Sequence, residues 1–275
     1  MVESRVLEPE NPFIHVDGVT KAYVERRRNP RGSAGTAGQD ERVLVLDDMR
    51  LGMGEGEIVC ILGPSGCGKS TLMRIIAGFD TGYEGSVRIG GARVSGPSPH
   101  HIFVFQHNGL LPWMTVRQNV ELGVRHVEDA VERNGIVEEH IEMVELGGFE
   151  DHYPHQLSGG MQRRAELARA LAVNPEVLFF DEPFTGLDFL THMRMREEVL
   201  NLHEFIGKTM LMVTHDIDDA LVMGDRIVIF GQSRPTLVRM NRRLEFKRPR
   251  DFGRDPDLAG FREEVYLMMG VHHAL

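Results

Sequence analysis

The chain has 275 residues, of which 41% are hydrophobic and 26% are charged, and its formal charge is −10 at pH 7. This length suits one large α/β domain or a domain with a subdomain. The acidic balance argues against non-specific nucleic-acid binding. Two cysteines exclude a disulfide scaffold. No apolar run approaches the roughly 18 residues of a spanning helix, and the N-terminal residues lack the apolar stretch of a signal peptide. We therefore expect a cytoplasmic protein that reaches a membrane only through a partner.

Short apolar runs predict the strands of a buried sheet. Polar alternation is absent from them, which is typical of parallel strands covered on both faces by helices. Four of the runs are followed at once by glycine-rich or polar residues. Ligands bind at the carboxyl ends of such strands, so we expect a phosphate or metal site there. The predicted strands are residues 43–46, 58–62, 102–105, 177–180, 210–213 and 227–230.

Three other segments set the domain organisation. Residues 25–42, ERRRNPRGSAGTAGQDER, contain no apolar run and predict a flexible surface loop. Helical patterning over 116–148 predicts a helical subdomain, spanning about 110–172, inserted between two strands. Residues 252–275 are expected to form a helical tail.

The eight residues GPSGCGKS at 63–70 follow a predicted strand and precede a predicted helix. They match the Walker A pattern, in which glycines let backbone N–H groups converge on phosphate oxygens. Lys69 is expected to reach the β- and γ-phosphates, and the Ser70 hydroxyl to bind Mg²⁺. A chance glycine-rich turn is disfavoured by the strand before it and the helix after it. The predicted nucleotide-binding residues are Gly63, Pro64, Ser65, Gly66, Cys67, Gly68, Lys69, Ser70 and Thr71.

The run at 177–180 ends in Asp181 and Glu182, a Walker B pattern. Asp181 is expected to hold Mg²⁺, and Glu182 to orient and polarise the attacking water. An acidic turn alone is ordinary at a strand end, but its pairing with the phosphate loop favours the metal-binding interpretation. The chain has no Asn-Lys-x-Asp segment for reading guanine, so ATP is favoured.

A second phosphate-binding element is predicted at LSGGMQ, residues 157–162, ahead of a predicted helix over 163–172. Ser158 stands where an N-cap residue would. Its hydroxyl, the amides of Gly159 and Gly160 and the helix dipole together predict an anion site. An ordinary capped helix is the alternative for this segment taken alone.

The order and spacing of these motifs resemble the nucleotide-binding subunit of an ABC transporter over residues 13–251. The resemblance implies a P-loop NTPase core with a mostly parallel sheet, an N-terminal antiparallel β portion and a helical subdomain. It also implies that two copies enclose two ATP molecules, with the Walker A loop of one copy facing the LSGG signature of the other.

The same resemblance implies further site residues. Gln106 would contact Mg²⁺ and sense the transport partner, and His215 would contact the γ-phosphate and hold Glu182 and the water. Asp188 would connect the two sites of the dimer, and Tyr23 would stack on adenine. The alternatives are a core histidine at 215 and a tyrosine packed at a strand end.

Residues 106–116, QHNGLLPWMTV, resemble the nitrate, sulfonate and taurine importer branch, as do KRPRD at 247–251. This implies integral membrane permease subunits and a solute-binding protein as partners, a place at the cytoplasmic face of the inner membrane, and no nucleic acid. Trp113 is either a docking side chain or a core tryptophan. The basic stretch 234–254 is read as a solvated edge, with lipid or permease contact as the alternative.

Alternatives from other classes stay open. They are an ABC ATPase of another transporter branch and a non-transport ABC ATPase that acts on nucleic acid or ribosomes. The chromosome-associated class carries long coiled coils between positions equivalent to Gln106 and Ser158, and no heptads occur here. The ribosomal class carries two cassettes in each chain, and this chain has one.

Overall fold

The computed structural model describes residues 9, 11–26, 40–104 and 109–270. The strands are β1 (Ile14–Arg26), β2 (Asp40–Met53), β3 (Ile58–Leu62), β4 (Glu84–Ile89), β5 (Ala92–Arg93), β6 (His101–Val104), β7 (Val177–Asp181), β8 (Thr209–Thr214), β9 (Arg226–Phe230) and β10 (Val238–Arg243). The helices are α1 (Lys69–Ile76), α2 (Val116–Glu121), α3 (Ala130–Met143), α4 (Gly159–Ala172), α5 (Phe189–Ile206), α6 (Ile217–Met223) and α7 (Pro256–Met268).

The strands form two sheets. One sheet has the order β10-β9-β3-β8-β7-β6, and its strands are parallel except β10, which runs antiparallel to β9. The other has the order β2-β1-β4-β5 and is antiparallel throughout. The mostly parallel sheet and the N-terminal antiparallel portion are both confirmed.

The expectation that residues 43–46 belong to the parallel sheet is wrong, because they lie in β2 of the antiparallel sheet. The register of β1 against β2 shifts between Lys21 and Ala22, opposite this run. The shift lets neighbouring Val45 and Leu46 both be buried. A continuous apolar run therefore arose from an irregular register rather than from cover on both faces.

Apolar cores lie on both faces of the parallel sheet. One core joins it to the antiparallel sheet and to α1, and the other joins it to helices that include α5, α6 and α7. Every residue of β3, β8 and β9 is buried. The carboxyl ends of these central strands are consequently held in fixed positions relative to one another, which is what a site assembled from several strands requires.

The helical segment over residues 110–172 has an apolar cluster of its own, formed by α2, α3 and α4. The side chain of Asn119, which is fully buried, bonds the backbone of Leu111 and Met114. This network fixes the turn that carries Trp113. That side chain is 68% exposed, so the alternative of a core tryptophan is wrong.

The two ends of the predicted 25–42 loop differ from their prediction. Glu25 and Arg26 pair with Glu41 and Asp40, so the ends of the predicted 25–42 loop are strand, and residues 27–39 lie outside the described residues. The backbone pairing of β1 with β2 extends beyond the apolar residues that predict a strand in the sequence.

The basic stretch 234–254 is only partly a solvated edge. The Arg248 guanidinium lies 2.7 Å from the Asp225 carboxylate. The Arg250 guanidinium donates to the carbonyls of Leu221, at 2.7 Å, and Gly224, at 2.5 Å. These two cations therefore anchor the C-terminal segment to the core. Over the described ranges, no helix has both the length and the apolar character needed to cross a bilayer.

Candidate functional site

The loop after β3 turns sharply into α1. Gly66 and Gly68 have φ of 76° and 103°, in the left-handed region that glycine adopts without penalty. A Cβ at Gly68 would also stand 2.9 Å from the Thr236 hydroxyl oxygen. The close turn needs glycine at this position for both reasons.

Lys69 folds back beneath this loop. Its side chain is buried, and its ammonium donates to the carbonyls of Gly63, at 2.7 Å, and Pro64, at 3.0 Å. The first N–H groups of α1 lack intrahelical partners and carry the positive end of the helix dipole. Loop amides, helix N-terminus and Lys69 thus form a site for an anion.

Two of the three residues predicted to hold a metal, Ser70 and Asp181, meet where α1 faces the end of β7. The Ser70 hydroxyl donates to a carboxylate oxygen of Asp181 across 3.1 Å. Burial, above all, raises the pKa of Asp181, and the neighbouring Glu182 carboxylate raises it further, against the opposing effect of the Ser70 hydrogen bond. A hydroxyl and a partly buried carboxylate are ligands that suit Mg²⁺, whose charge would favour the ionised carboxylate. Ser70 and Asp181 therefore fit the predicted metal.

Glu182 is held in an unusual backbone conformation. Its φ is 49°, in the left-handed region, which costs a non-glycine residue roughly 1–2 kcal/mol. Its amide donates to the Val213 carbonyl at 2.8 Å, and its carboxylate accepts from the Thr185 hydroxyl at 3.3 Å. Nδ1 of His215 lies 3.4 Å from the other carboxylate oxygen. Strained residues of this kind concentrate at functional sites.

Tyr23 lines the same cleft as the phosphate loop. The cleft has a volume of about 280 Å³ and also includes Val43 and Val45 of β2. The Tyr23 ring is 40% exposed, and its hydroxyl donates to Asp80 at 3.1 Å. The structure therefore places an accessible aromatic ring and two valines beside the anion site.

The second phosphate-binding element lies in a different cleft. Ser158 caps α4 by accepting from the Met161 amide at 3.3 Å, and the helix begins at Gly159, ahead of its predicted start. This cleft also includes Gly160 and Asp188, and none of the described residues that line it also lines the cleft that holds Lys69. One copy of the chain thus keeps its two predicted phosphate sites apart.

Asp188 is the N-cap of α5 and accepts from the Thr191 amide at 3.2 Å. Hydrogen bonds from Thr191 hold the pKa of this exposed carboxyl below its ordinary value. Asp188 therefore stays ionised beside Ser158 and Gly160. Gln106 lies outside the described residues, so its predicted contacts with metal and partner stay predictions.

Sequence reasoning missed Arg163, which links the LSGG segment to the end of β7. Its guanidinium donates to Glu166 at 2.7 Å and to the Pro183 carbonyl at 3.3 Å, and both charged side chains are buried. Pro183 follows Glu182 directly, so this pair ties α4 to the catalytic candidate. No local pattern could reveal the contact with Pro183, because that residue lies 20 positions away in the sequence.

Comparison with known proteins gives a consistent result. The family model described as ABC transporter matches residues 46–185. The nitrate import ATP-binding protein NrtD of Synechococcus elongatus is 38% identical over 92% of this chain and 90% of its own length. The bicarbonate transport ATP-binding protein CmpD of the same organism is 40% identical, with coverage of 88% and 83%. The aliphatic sulfonates import ATP-binding protein SsuB of Bacillus cereus is 41% identical, with coverage of 79% and 81%.

Solved structures agree with the architecture. The ATP-binding cassette MJ0796, described as a dimeric post-hydrolysis state bound to ADP and Pi, has a TM-score of 0.67 and 33% identity. The match covers 85% of this chain and 100% of that one. A second dimeric structure of the same cassette has a TM-score of 0.66 and 35% identity over the same shares of the two chains.

Proposed function

The chain belongs to the ABC transporter family, and we propose that it is the ATP-hydrolysing subunit of an importer for a small anionic solute. The observation that carries this proposal is the convergence of Lys69, Asp181, Glu182 and His215 at the carboxyl ends of three adjacent strands. At this edge of the sheet, the proposed anion site, the proposed metal site and the proposed base lie side by side.

Each group has a defined task in the proposed reaction. The amides of the Walker A loop and Lys69 bind the β- and γ-phosphates and neutralise their charge. Ser70 and Asp181 would hold Mg²⁺, which when bound withdraws charge from the phosphate oxygens. Glu182 accepts a proton from the water that attacks the γ-phosphate, and His215 orients the Glu182 carboxylate. The γ-phosphate is released and ADP stays in the loop.

We infer that two copies share each ATP. Within one copy, the LSGG cleft that contains Ser158 lies apart from the Walker A cleft that contains Lys69. A second copy could present its α4 N-terminus to the γ-phosphate, where the helix dipole and the Ser158 hydroxyl stabilise negative charge. The dimeric state of the MJ0796 cassette supports this arrangement.

The proposed transported solute follows from the relatives. Nitrate, bicarbonate and aliphatic sulfonates, which are named in their descriptions, are all small anions. Taurine is the fourth candidate solute, because it carries the same anionic sulfonate group, although its ammonium makes it a zwitterion. Integral membrane permease subunits and a solute-binding protein would select among them, with this subunit peripheral on the cytoplasmic face. The exposed Trp113 is suited to docking against a permease segment.

The test is uptake in the source organism. Replacing the chromosomal copy with Glu182→Gln should abolish accumulation of one labelled solute among nitrate, bicarbonate, an alkanesulfonate and taurine. An Asp257→Asn strain is the matched control, because it makes the same acid-to-amide change at an exposed residue of α7 outside both clefts, and it should accumulate that solute normally. Unchanged uptake of all four solutes in the Glu182→Gln strain would contradict the proposed substrate class.

A further inference from the structure

The segment between β9 and β10 lies against the Walker A loop. Thr236 is 2% exposed, and its amide donates to the Val45 carbonyl at 2.9 Å. The hydroxyl oxygen of Thr236 lies 2.8 Å from the same Val45 carbonyl and also lies against the Cys67 carbonyl. Because the Thr236 amide already donates to the Val45 carbonyl, the one proton of the Thr236 hydroxyl can be donated to the Cys67 carbonyl. Thr236 thus connects β2 to the phosphate loop.

Arg234 makes the neighbouring contact. Nη2 of its guanidinium donates to the Gly66 carbonyl at 3.2 Å. The carbonyls of Gly66 and Cys67 are consecutive, so this one segment binds two successive peptide units of the loop. Since each peptide unit is planar, holding its carbonyl also fixes the direction of the N–H that follows it. The Cys67 and Gly68 amides are oriented in this way before nucleotide binds.

The charge of the cleft also involves Arg234. Among the described residues that line the Walker A cleft, Lys69 and Arg234 carry charge, both positive, and no carboxylate lines it. The Lys69 ammonium is already engaged by two carbonyls, whereas a guanidinium has five N–H donors in a planar fork. The Arg234 guanidinium donates one N–H to the neutral Gly66 carbonyl, and its other N–H groups can donate to an anion.

We propose that Arg234 is a further nucleotide-binding residue, which pairs with phosphate oxygens of the ATP held by the Walker A loop. Thr236 is a positioning residue that acts through the loop carbonyl and has no contact with the nucleotide. The inference rests on ATP binding in this cleft and does not depend on the importer or on its solute. No motif marks Arg234, because its position beside Gly66 exists only in the folded chain.

The experiment measures ATP affinity by calorimetry without Mg²⁺, which prevents hydrolysis, at 50 mM and 300 mM NaCl. Arg234→Gln keeps a hydrogen-bond donor and removes the charge, and it should weaken binding roughly tenfold at low salt. Arg234→Lys should retain most of the affinity, because the charge is kept. Arg239→Gln is the matched control, since Arg239 is an exposed arginine of β10 that does not line the cleft, and its affinity should equal that of the unaltered chain.

Salt separates a charge contact from a structural tie. If Arg234 pairs with phosphate, the unaltered chain and Arg234→Gln should differ less in ATP affinity at 300 mM than at 50 mM NaCl, because ions screen the contact. Thr236→Val should weaken binding by an amount that salt does not change. Equal affinity of Arg234→Gln and the unaltered chain would overturn the proposal. The proposal would also be overturned if Arg234→Gln lost the same ATP affinity at both salt concentrations and had a lower melting temperature. If the unaltered chain failed to bind ATP, the nucleotide site itself would be wrong.

Discussion

Nδ1 of His215 lies 3.4 Å from a carboxylate oxygen of Glu182, which joins the residue after β8 to the residue that follows β7. The two strands are adjacent and parallel, so their carboxyl ends stay together as the sheet twists. The Thr185 hydroxyl also donates to the Glu182 carboxylate, and the Glu182 amide donates to the Val213 carbonyl. The proposed base is therefore fixed from several directions before water or nucleotide arrives.

Glu182→Gln tests the role of this base. The amide can keep the contacts with Thr185 and His215, but it cannot accept a proton from water. We expect ATP affinity to change little and phosphate release to fall by roughly 100-fold or more, the usual contribution of a positioned base. Phosphate release and equilibrium ATP binding are measured on the same preparation. Turnover equal to that of the unaltered chain would remove Glu182 from the mechanism.

Cys67 lies inside the Walker A loop, yet its side chain is buried and its pKa is raised by that burial, with Lys69 opposing the effect. We interpret it as a small packing residue. Cys67→Ala should keep ATP hydrolysis, because no proposed group is removed. In the native chain Cys67 and the fully buried Cys60 should react with iodoacetamide at least about tenfold more slowly than in urea, because a buried thiol is rarely ionised. Rapid native labelling of Cys67 would contradict this interpretation.

A buried carboxylate of α6, that of Asp219, gives a pH prediction. Asp219 accepts from Nε2 of His192 at 2.7 Å and lies 3.4 Å from Nη1 of Arg196, with both partners on α5. Burial raises the pKa of Asp219, and the Asp216 carboxylate at the start of α6 raises it further, although His192 and Arg196 oppose this. The folded chain therefore binds this proton more tightly than the unfolded chain, and stability from this group falls as pH rises through the raised pKa.

Asp219→Asn removes the buried charge and should raise the free energy of unfolding at pH 7.5. The gain should shrink at pH 5, where protonation of Asp219 in the folded chain becomes easier. Urea unfolding at both pH values measures the two differences. The exposed Asp257→Asn, in the first turn of α7, is the control for a general effect of charge. A destabilised Asp219→Asn chain at pH 7.5 would show that the contacts with His192 and Arg196 outweigh the cost of burial.

The sequence predicted the structure around the candidate site best where that structure depends on neighbours along the chain. Residues 58–62 lead directly into the phosphate loop, so the strand and loop were found together. The N-cap role of Ser158 was likewise a local property, and the structure has it. Contacts between distant segments were out of reach. Arg163 reaches Pro183, and Arg234 reaches Gly66, only after the sheet has formed. The run 43–46 was misplaced because local apolarity does not report strand direction.

The central claim, that two copies close around ATP, is tested most directly by the mass of Glu182→Gln in solution. The chain has a mass of 31.0 kDa. With saturating ATP, light scattering on a size-exclusion column should give twice the mass measured without nucleotide. Adding Ser158→Arg should return the mass to that of one chain while ATP stays bound, because an arginine there obstructs the second copy's nucleotide. ATP-loaded Glu182→Gln that keeps the mass of a single chain would contradict the claim.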